Sequence, residues 1–344
     1  MSLDHPGAEG SPLAFADLLE GLKAAGEDTR LRVLALLDEG ELTVSELTDI
    51  LGQSQPRISR HLKLLSEAGL VERRREASWV FYSRARETRQ GILVTTLLAL
   101  LDLDDPLVRR DRERLDEVRA ARAAQAQAYF ASHAARWDAI RSLHAPDDLV
   151  EAQVREALGA EPIEALLDLG TGTGRMLEIL SDRIQKGVGL DLSPDMLGVA
   201  RVNLEQAGIR NCSVRQGDIF NLSLPRDSFD VVMIHQVLHF LDDPARAVRE
   251  AARVLRPGGR LLVVDFAPHD LEFLRDAHAH RRLGFAEETV SAWLVQAGLR
   301  PILHRALPPN APAQDALTVS FWLGRDQRPG QSVHASSQKT KEIA

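Results

Sequence analysis

Apolar residues recur with helical spacing over residues 14–25 (Ala14, Leu18, Leu19, Leu22) and again over 29–38 (Leu31, Val33, Leu34, Leu36, Leu37). Two short helices are expected next. Thr43 and Glu46 are spaced as a capping box for the first. Ser54 or Gln55 caps the second, with Pro56 in its first turn. After Gly69, the run from Leu70 to Tyr82 alternates like a β-hairpin. Ala77 stands in its turn where glycine is common, which leaves the turn type open. Helical spacing returns over 84–103 (Ile92, Leu93, Leu97, Leu98, Leu101) and is broken by Asp104-Asp105-Pro106. From Leu107 to about Gln127 the pattern predicts a charged helix with one stripe of Val108, Leu115, Val118 and Ala121. Its heptads are too few and too impure for a coiled coil, so it reads as a rigid connector. An aromatic helix follows over 128–138, with Tyr129, Phe130 and Trp137.

The second half of the chain changes period. Ala165 to Leu169 reads as a buried parallel strand that breaks into Gly170, Gly172 and Gly174. A helical face of Met176, Leu177, Ile179 and Leu180 comes after it. Glycines in a strand-to-helix turn let backbone approach a ligand closely, and the N–H groups of the helix start face that ligand. Val188-Gly189-Leu190-Asp191 ends a second strand with an acid at the offset that binds ribose hydroxyls in dinucleotide folds. Gly217-Asp218-Ile219 follows a third strand. Asp227 to Val232 opens a fourth, and Leu255 to Arg260 turns into a fifth. Residues 300–307 and 316–323 are the last two strands, and the polar segment 326–344 is expected to be a disordered tail. Two ligand classes fit the glycines alone. A dinucleotide turn is G-x-G-x-x-G, whereas here the spacing is G-x-G-x-G after Asp168.

Length and charge refine this picture. A chain of 344 residues suffices for two cores. The net charge of −8 hides a local basic excess: Ser54 to Gln90 holds nine Lys/Arg against four Asp/Glu, a balance of +5. The single cysteine, Cys212, excludes an intramolecular disulfide and suggests a reducing compartment. Residues 1–12 lack a signal-peptide pattern, and the longest apolar stretch, Ile92 to Leu103, is too short to span a bilayer. A cytoplasmic protein with no membrane association is expected.

Two resemblances organise the whole. Thr29 to Tyr82, above all Ser59-Arg60-His61-Leu62-Lys63-Leu64-Leu65-Ser66-Glu67-Ala68-Gly69-Leu70-Val71, resembles the ArsR family of dimeric winged helix-turn-helix regulators. It implies a homodimer that binds a double-stranded DNA operator, with the helix over 84–103 in the dimer interface. In such folds the start of the recognition helix enters the major groove, which nominates Gln55, Arg57, Ser59, Arg60 and His61. Gln55 and Arg57 suit adenine and guanine best. Arg73, Arg74 and Arg75 would serve the wing on phosphate or minor groove. His61 is equally consistent with a helix residue that makes no contact. Thr43 and Ser45 stand where metal-sensing members carry cysteines, so no metal is expected at that place.

The five ordered motifs over 128–325 are similar to class I S-adenosylmethionine (SAM) methyltransferases. That resemblance implies a Rossmann-like α/β domain with a seven-stranded, mostly parallel sheet. It places Asp168, Gly170, Gly172 and Gly174 around the amino-acid end and ribose of SAM or S-adenosylhomocysteine (SAH). Asp191 would hold the ribose hydroxyls. Leu192, Asp218 and Ile219 would surround the adenine, and Tyr129 would fold over the cofactor. Ordinary turn capping remains open for Asp218. The expected organisation is therefore 1–103 for DNA binding and dimerisation, 104–127 as connector, 128–325 as methyltransferase-like domain and 326–344 as tail.

The acceptor side is less legible. His235 and His239 follow the fourth strand at the carboxyl edge, where a histidine can take a proton near neutral pH. A helix cap and a packed histidine explain them equally well. No Asn/Asp-Pro-Pro-Tyr follows that strand and no Pro-Cys is present, which argues against DNA methylation. Two functions are carried forward. One is a regulator whose methyltransferase-like domain senses SAM or SAH. The other is a working small-molecule methyltransferase with an attached autoregulatory DNA-binding domain.

Overall fold

The computed structural model describes residues 13–76, 79–86, 88–134, 147–309 and 317–329. The Ala77 turn, Trp137 and residues 330–344 lie outside the described residues. The chain forms two compact units, Met1–Gln125 and Ala126–Ala344.

The first unit opens with α1 (Phe15–Ala25), α2 (Asp28–Asp38), the short strand β1 (Leu42–Thr43) and α3 (Val44–Leu51). The capping box at the start of α3 is formed: Thr43 Oγ1 accepts from the Glu46 N–H, and the Glu46 carboxylate accepts from the Thr43 N–H. α4 (Gln55–Glu67) starts after Ser54, whose backbone is the cap and whose side chain makes no capping bond. β2 (Val71–Glu76) and β3 (Trp79–Arg84) pair antiparallel, and β1 adds to β3. Helix-turn-helix and β-hairpin enclose a core of Val33, Leu34, Leu37, Leu47, Ile58, Leu62 and Leu65. α5 (Arg89–Ala99) is shorter than its apolar pattern predicts. Arg84 is held in the hairpin ladder opposite Val71, and Thr88 then caps the helix through the Gly91 N–H.

α6 (Pro106–His133) spans both the expected connector and the start of the expected aromatic helix. Its first half is part of the first unit. Leu115 is buried in the core and Val118 packs against it. Arg32 meets Asp111 in a two-pronged ion pair at 2.6 and 2.7 Å, with Asp111 almost fully buried. Arg119 donates to the Glu39 carbonyl and Arg114 to the Ile50 carbonyl, groups that the ends of α2 and α3 leave without helical partners. Exposed pairs of this kind contribute little, whereas removal of one partner of a buried pair leaves a stranded charge.

The second unit is a seven-stranded sheet. In chain order its elements are α7 (Asp147–Ala157), β4 (Ile163–Leu169), α8 (Arg175–Leu180), β5 (Ile184–Asp191), α9 (Pro194–Gln206), β6 (Cys212–Gln216), β7 (Phe229–His235), α10 (Pro244–Arg253), β8 (Leu255–Phe266), α11 (Phe273–His278), α12 (Glu287–Gln296), β9 (Leu299–Leu307) and β10 (Val319–Asp326). The spatial order is β6-β5-β4-β7-β8-β10-β9. The first five strands are parallel, and β10 runs antiparallel between β8 and β9. Strand order reverses beside β4, so the crevice at the carboxyl ends of β4 and β7 is the topological switch point. The segment 326–344, expected as a tail, begins with Asp326 as the last residue of β10.

Replacement of Asp111 by alanine should destabilise the first unit by roughly 1–3 kcal/mol, because the partly buried Arg32 loses its two-pronged partner. Amide exchange across α2 and α6 of the full chain measures this. Unchanged protection there would show that the pair is not what fastens α6.

Candidate functional site

On α4 the helical period separates two faces. Gln55, Arg57, Ser59 and Arg60 are exposed, whereas Ile58, His61, Leu62 and Leu65 point inward. The expectation that His61 reads DNA is therefore corrected. It lies one turn after Ile58, faces the core, and its Nδ1 is 3.5 Å from the carboxylate of Glu27. Arg73, Arg74 and Arg75 are exposed on β2. Arg74 is engaged within the unit, 2.9 Å from Glu41 and over the Phe81 ring at 5.1 Å.

The glycine turn occupies the carboxyl end of β4. Gly170, Gly172 and Gly174 all have left-handed backbone, with φ of 72°, 52° and 78°. A side chain at Gly170 would also collide with Val237, in the loop after β7. The turn is fastened by two carboxylates. Asp168, buried, accepts from the Thr171 hydroxyl at 2.7 Å. Asp191 ends β5 and accepts from the Gly172 N–H through one oxygen and the Ser193 N–H through the other, both at 2.9 Å. Burial pushes the Asp191 carboxyl above its usual range, and the N–H groups of Ser193, Gly172 and Leu192 pull it back.

Leu192 follows as an exposed leucine beside that carboxylate. Asp218 is exposed and accepts from the Phe220 N–H, so its carboxylate shapes the turn after β6. Ile219 packs on the central core. Tyr129, near the end of α6, has its hydroxyl 2.8 Å from Nδ1 of His278. Its ring lies 5.8 Å from Phe130, and burial raises its phenol above the usual range.

The loop after β7 is built tightly. Gln236 has φ of 53°, unusual for a residue with a side chain, and its N–H donates to the Val264 carbonyl. His235 and His239 are both buried. His239 Nδ1 is 2.8 Å from the carboxylate of Asp265, which has no exposure at all, and the His239 N–H points at the same carboxylate. Asp265 was not a candidate from sequence, although an acid inside the apolar run Leu261–Phe266 is the signal that could have found it. The His239 ring lies tilted against His280 and Phe266, with centroids 4.2 and 5.0 Å away. Among the described residues no group of three or more His, Cys, Asp or Glu could hold a metal ion, and no helix is long and apolar enough to cross a membrane.

With this geometry established, known proteins divide the chain in the same way. Residues 27–73 match the model of bacterial regulatory proteins of the arsR family, and 167–263 match that of a methyltransferase domain. The chain joins an arsR-type helix-turn-helix to a class I methyltransferase fold. It is similar to the uncharacterized methyltransferase YcgJ of Bacillus subtilis, 31% identical over 175 residues that cover 48% of this chain and 66% of that one. It is also similar to the ubiquinone/menaquinone biosynthesis C-methyltransferase UbiE of Vibrio vulnificus, 39% identical over 113 residues, 32% of this chain and 44% of that protein. The crystal structure of YcgJ superposes on 52% of this chain and 98% of its own, at 22% identity and a TM-score of 0.45. The chain thus spans about two thirds or less of the length of these curated relatives.

Gly170→Ala should lower the stability of the second unit by roughly 2 kcal/mol or more, from left-handed strain and the encounter with Val237. Thermal melting of the variant measures it. A melting temperature equal to wild type would show that the turn relaxes freely and that glycine is not required there.

Proposed function

We propose that this protein is a homodimeric, DNA-binding transcription regulator whose methyltransferase-like domain binds SAM or SAH as effector. The observation that carries this reading is the union, in one chain, of an exposed polar recognition face on α4 and a glycine turn tied to the Asp191 carboxylate. For dimerisation the support is apolar exposure: Phe15, Leu19 and Leu22 of α1 and Ile92 of α5 all face solvent. Gln55, Arg57, Ser59 and Arg60 would meet the major groove, and Arg73, Arg74 and Arg75 the backbone or minor groove.

The cofactor fit rests on chemistry. A carboxylate whose charged form is penalised by burial gains from further donors, and the Asp191 oxygens keep acceptor capacity beyond the N–H bonds they already take. Two vicinal ribose hydroxyls would supply those donors. Asp168, Gly170, Gly172 and Gly174 would line the amino-acid end and ribose, with Leu192, Asp218 and Ile219 around the adenine and Tyr129 above. When bound, SAM supplies an electrophilic methyl group. Coupling would run along α6, which begins in the DNA-binding unit and ends in the methyltransferase-like unit. SAM carries one methyl and one positive charge more than SAH, and a ring face near the sulfur would favour it by ~0.5–2 kcal/mol. A second reading, a working small-molecule methyltransferase that controls its own operon, draws support from the buried His239–Asp265 pair.

Two measurements test the leading reading. On a duplex selected from random DNA, Arg57→Ala should lose ~1–3 kcal/mol of specific binding and little of non-specific binding. Equal losses on both would remove Arg57 as a base reader. By calorimetry, Asp191→Ala should lose on the order of 1–3 kcal/mol of SAM and SAH affinity in a folded protein. Wild-type protein that binds NAD and neither SAM nor SAH would overturn the assignment of this domain.

A further inference from the structure

We infer that His239, held by Asp265, is the proton acceptor of a methyl transfer to an aromatic hydroxyl, so that this domain retains catalytic competence as well as effector binding. The inference rests on the SAM-binding reading. It is carried by four features of the carboxyl edge of the sheet.

First, the imidazole has a fixed tautomer. With Nδ1 against the buried Asp265 carboxylate at 2.8 Å, the neutral ring carries its proton on Nδ1 and its lone pair on Nε2. Asp265 also receives the N–H groups of Phe266 and His239, so its carboxylate is locked in place. An acid with no exposed surface, next to the last residue of β8, is costly unless it is bonded in this way. A merely packed histidine does not require that cost.

Second, the imidazole lies two residues from a side chain that packs on the glycine turn. Val237, two residues earlier, is the side chain that a Cβ at Gly170 would strike. The loop that carries His239 therefore packs directly on the turn proposed to hold the cofactor.

Third, the surroundings are rings. Phe240, Phe266 and His280 lie 4.0, 5.0 and 4.2 Å from the His239 ring, and Phe130 of α6 contacts Phe240 edge-on at 4.9 Å. Ring edges and faces suit a planar aromatic acceptor more than a flexible polar one.

Fourth, the segment that follows α11 is hung from the backbone of His239. The Arg281 and Arg282 N–H groups donate to the His239 carbonyl at 2.9 and 3.0 Å, and the His269 N–H donates to the Leu283 carbonyl. Within this segment Ala279 has φ of 57°, a strained value for a residue with a Cβ. Displacement of this strap admits the acceptor, and its return excludes water.

The chain's own contribution is to the proton. His239 Nε2 takes the hydroxyl proton as the oxygen lone pair forms the new O–CH₃ bond. The S–CH₃ bond breaks and its electron pair stays on sulfur, which turns the sulfonium into a neutral thioether. The positive charge that leaves sulfur thus reappears on the imidazolium, next to the Asp265 carboxylate.

The test uses the full chain, methyl-labelled SAM, and two probe acceptors, 1-naphthol and the far more acidic 4-nitrophenol. Wild type should methylate 1-naphthol. His239→Asn should lower that rate on the order of 10²–10⁴-fold. It should bind SAM as wild type does by calorimetry, and it should lose much less activity on 4-nitrophenol, which is already ionised. Nitrogen-15 NMR should show the Nδ1–H tautomer of His239 in wild type and its loss in Asp265→Asn. A wild type that binds SAM and methylates neither phenol overturns the proposal and leaves the effector reading intact. Equal losses on both phenols, or an Nε2–H tautomer in wild type, also overturn it. Failure of wild type to bind SAM defeats the underlying reading instead.

Discussion

The second unit depends on one carboxylate. Asp191 ends β5, and its two oxygens take the N–H of Gly172 from the turn after β4 and the N–H of Ser193 at the start of α9. Two parallel strands, the glycine turn and a helix start are thereby fixed around a single charge. The same carboxylate is partly withdrawn from water, so its ionised form is under-solvated. A ligand with paired hydroxyls would relieve that deficit, so on the proposed reading one carboxylate serves both as structural fastening and as binding group.

The helix-turn-helix unit is organised by a different constraint, the satisfaction of helix ends. The first half of α6 supplies Arg114 and Arg119 to carbonyls at the ends of α3 and α2, and Asp111 to Arg32. What a sequence pattern presents as a charged linker is thus a component of the helix-turn-helix. Its charges meet backbone carbonyls and oppositely charged side chains of the unit, and the stripe of Val108, Leu115 and Val118 is its buried edge.

Much of this was legible beforehand, because periodicity and caps are local. The capping box at Thr43, the hairpin of β2 and β3, the parallel strands and the glycine turn follow from spacing alone. Three points were not legible. His61 sits within a basic, polar helix start beside residues that are exposed, and only the packing of α4 puts it with Ile58 and Leu62 on the inner face. The end of the 84–103 helix was overestimated, since Leu100 and Leu103 continue the apolar pattern while remaining exposed outside α5. Asp265 could not be paired with His239 from sequence, because the contact joins residues 26 apart through the register of β7 on β8.

The central claim is that occupancy of the methyltransferase-like domain changes DNA binding. The most direct measurement is fluorescence anisotropy of a selected duplex titrated with wild-type protein alone, with saturating SAM and with saturating SAH. The account predicts three distinct curves, with SAM and SAH displaced unequally from the ligand-free curve by shifts within the ~1–3 kcal/mol typical of allosteric coupling. Three superimposed curves, from protein shown to bind both ligands, would contradict it and reduce the two units to tethered neighbours.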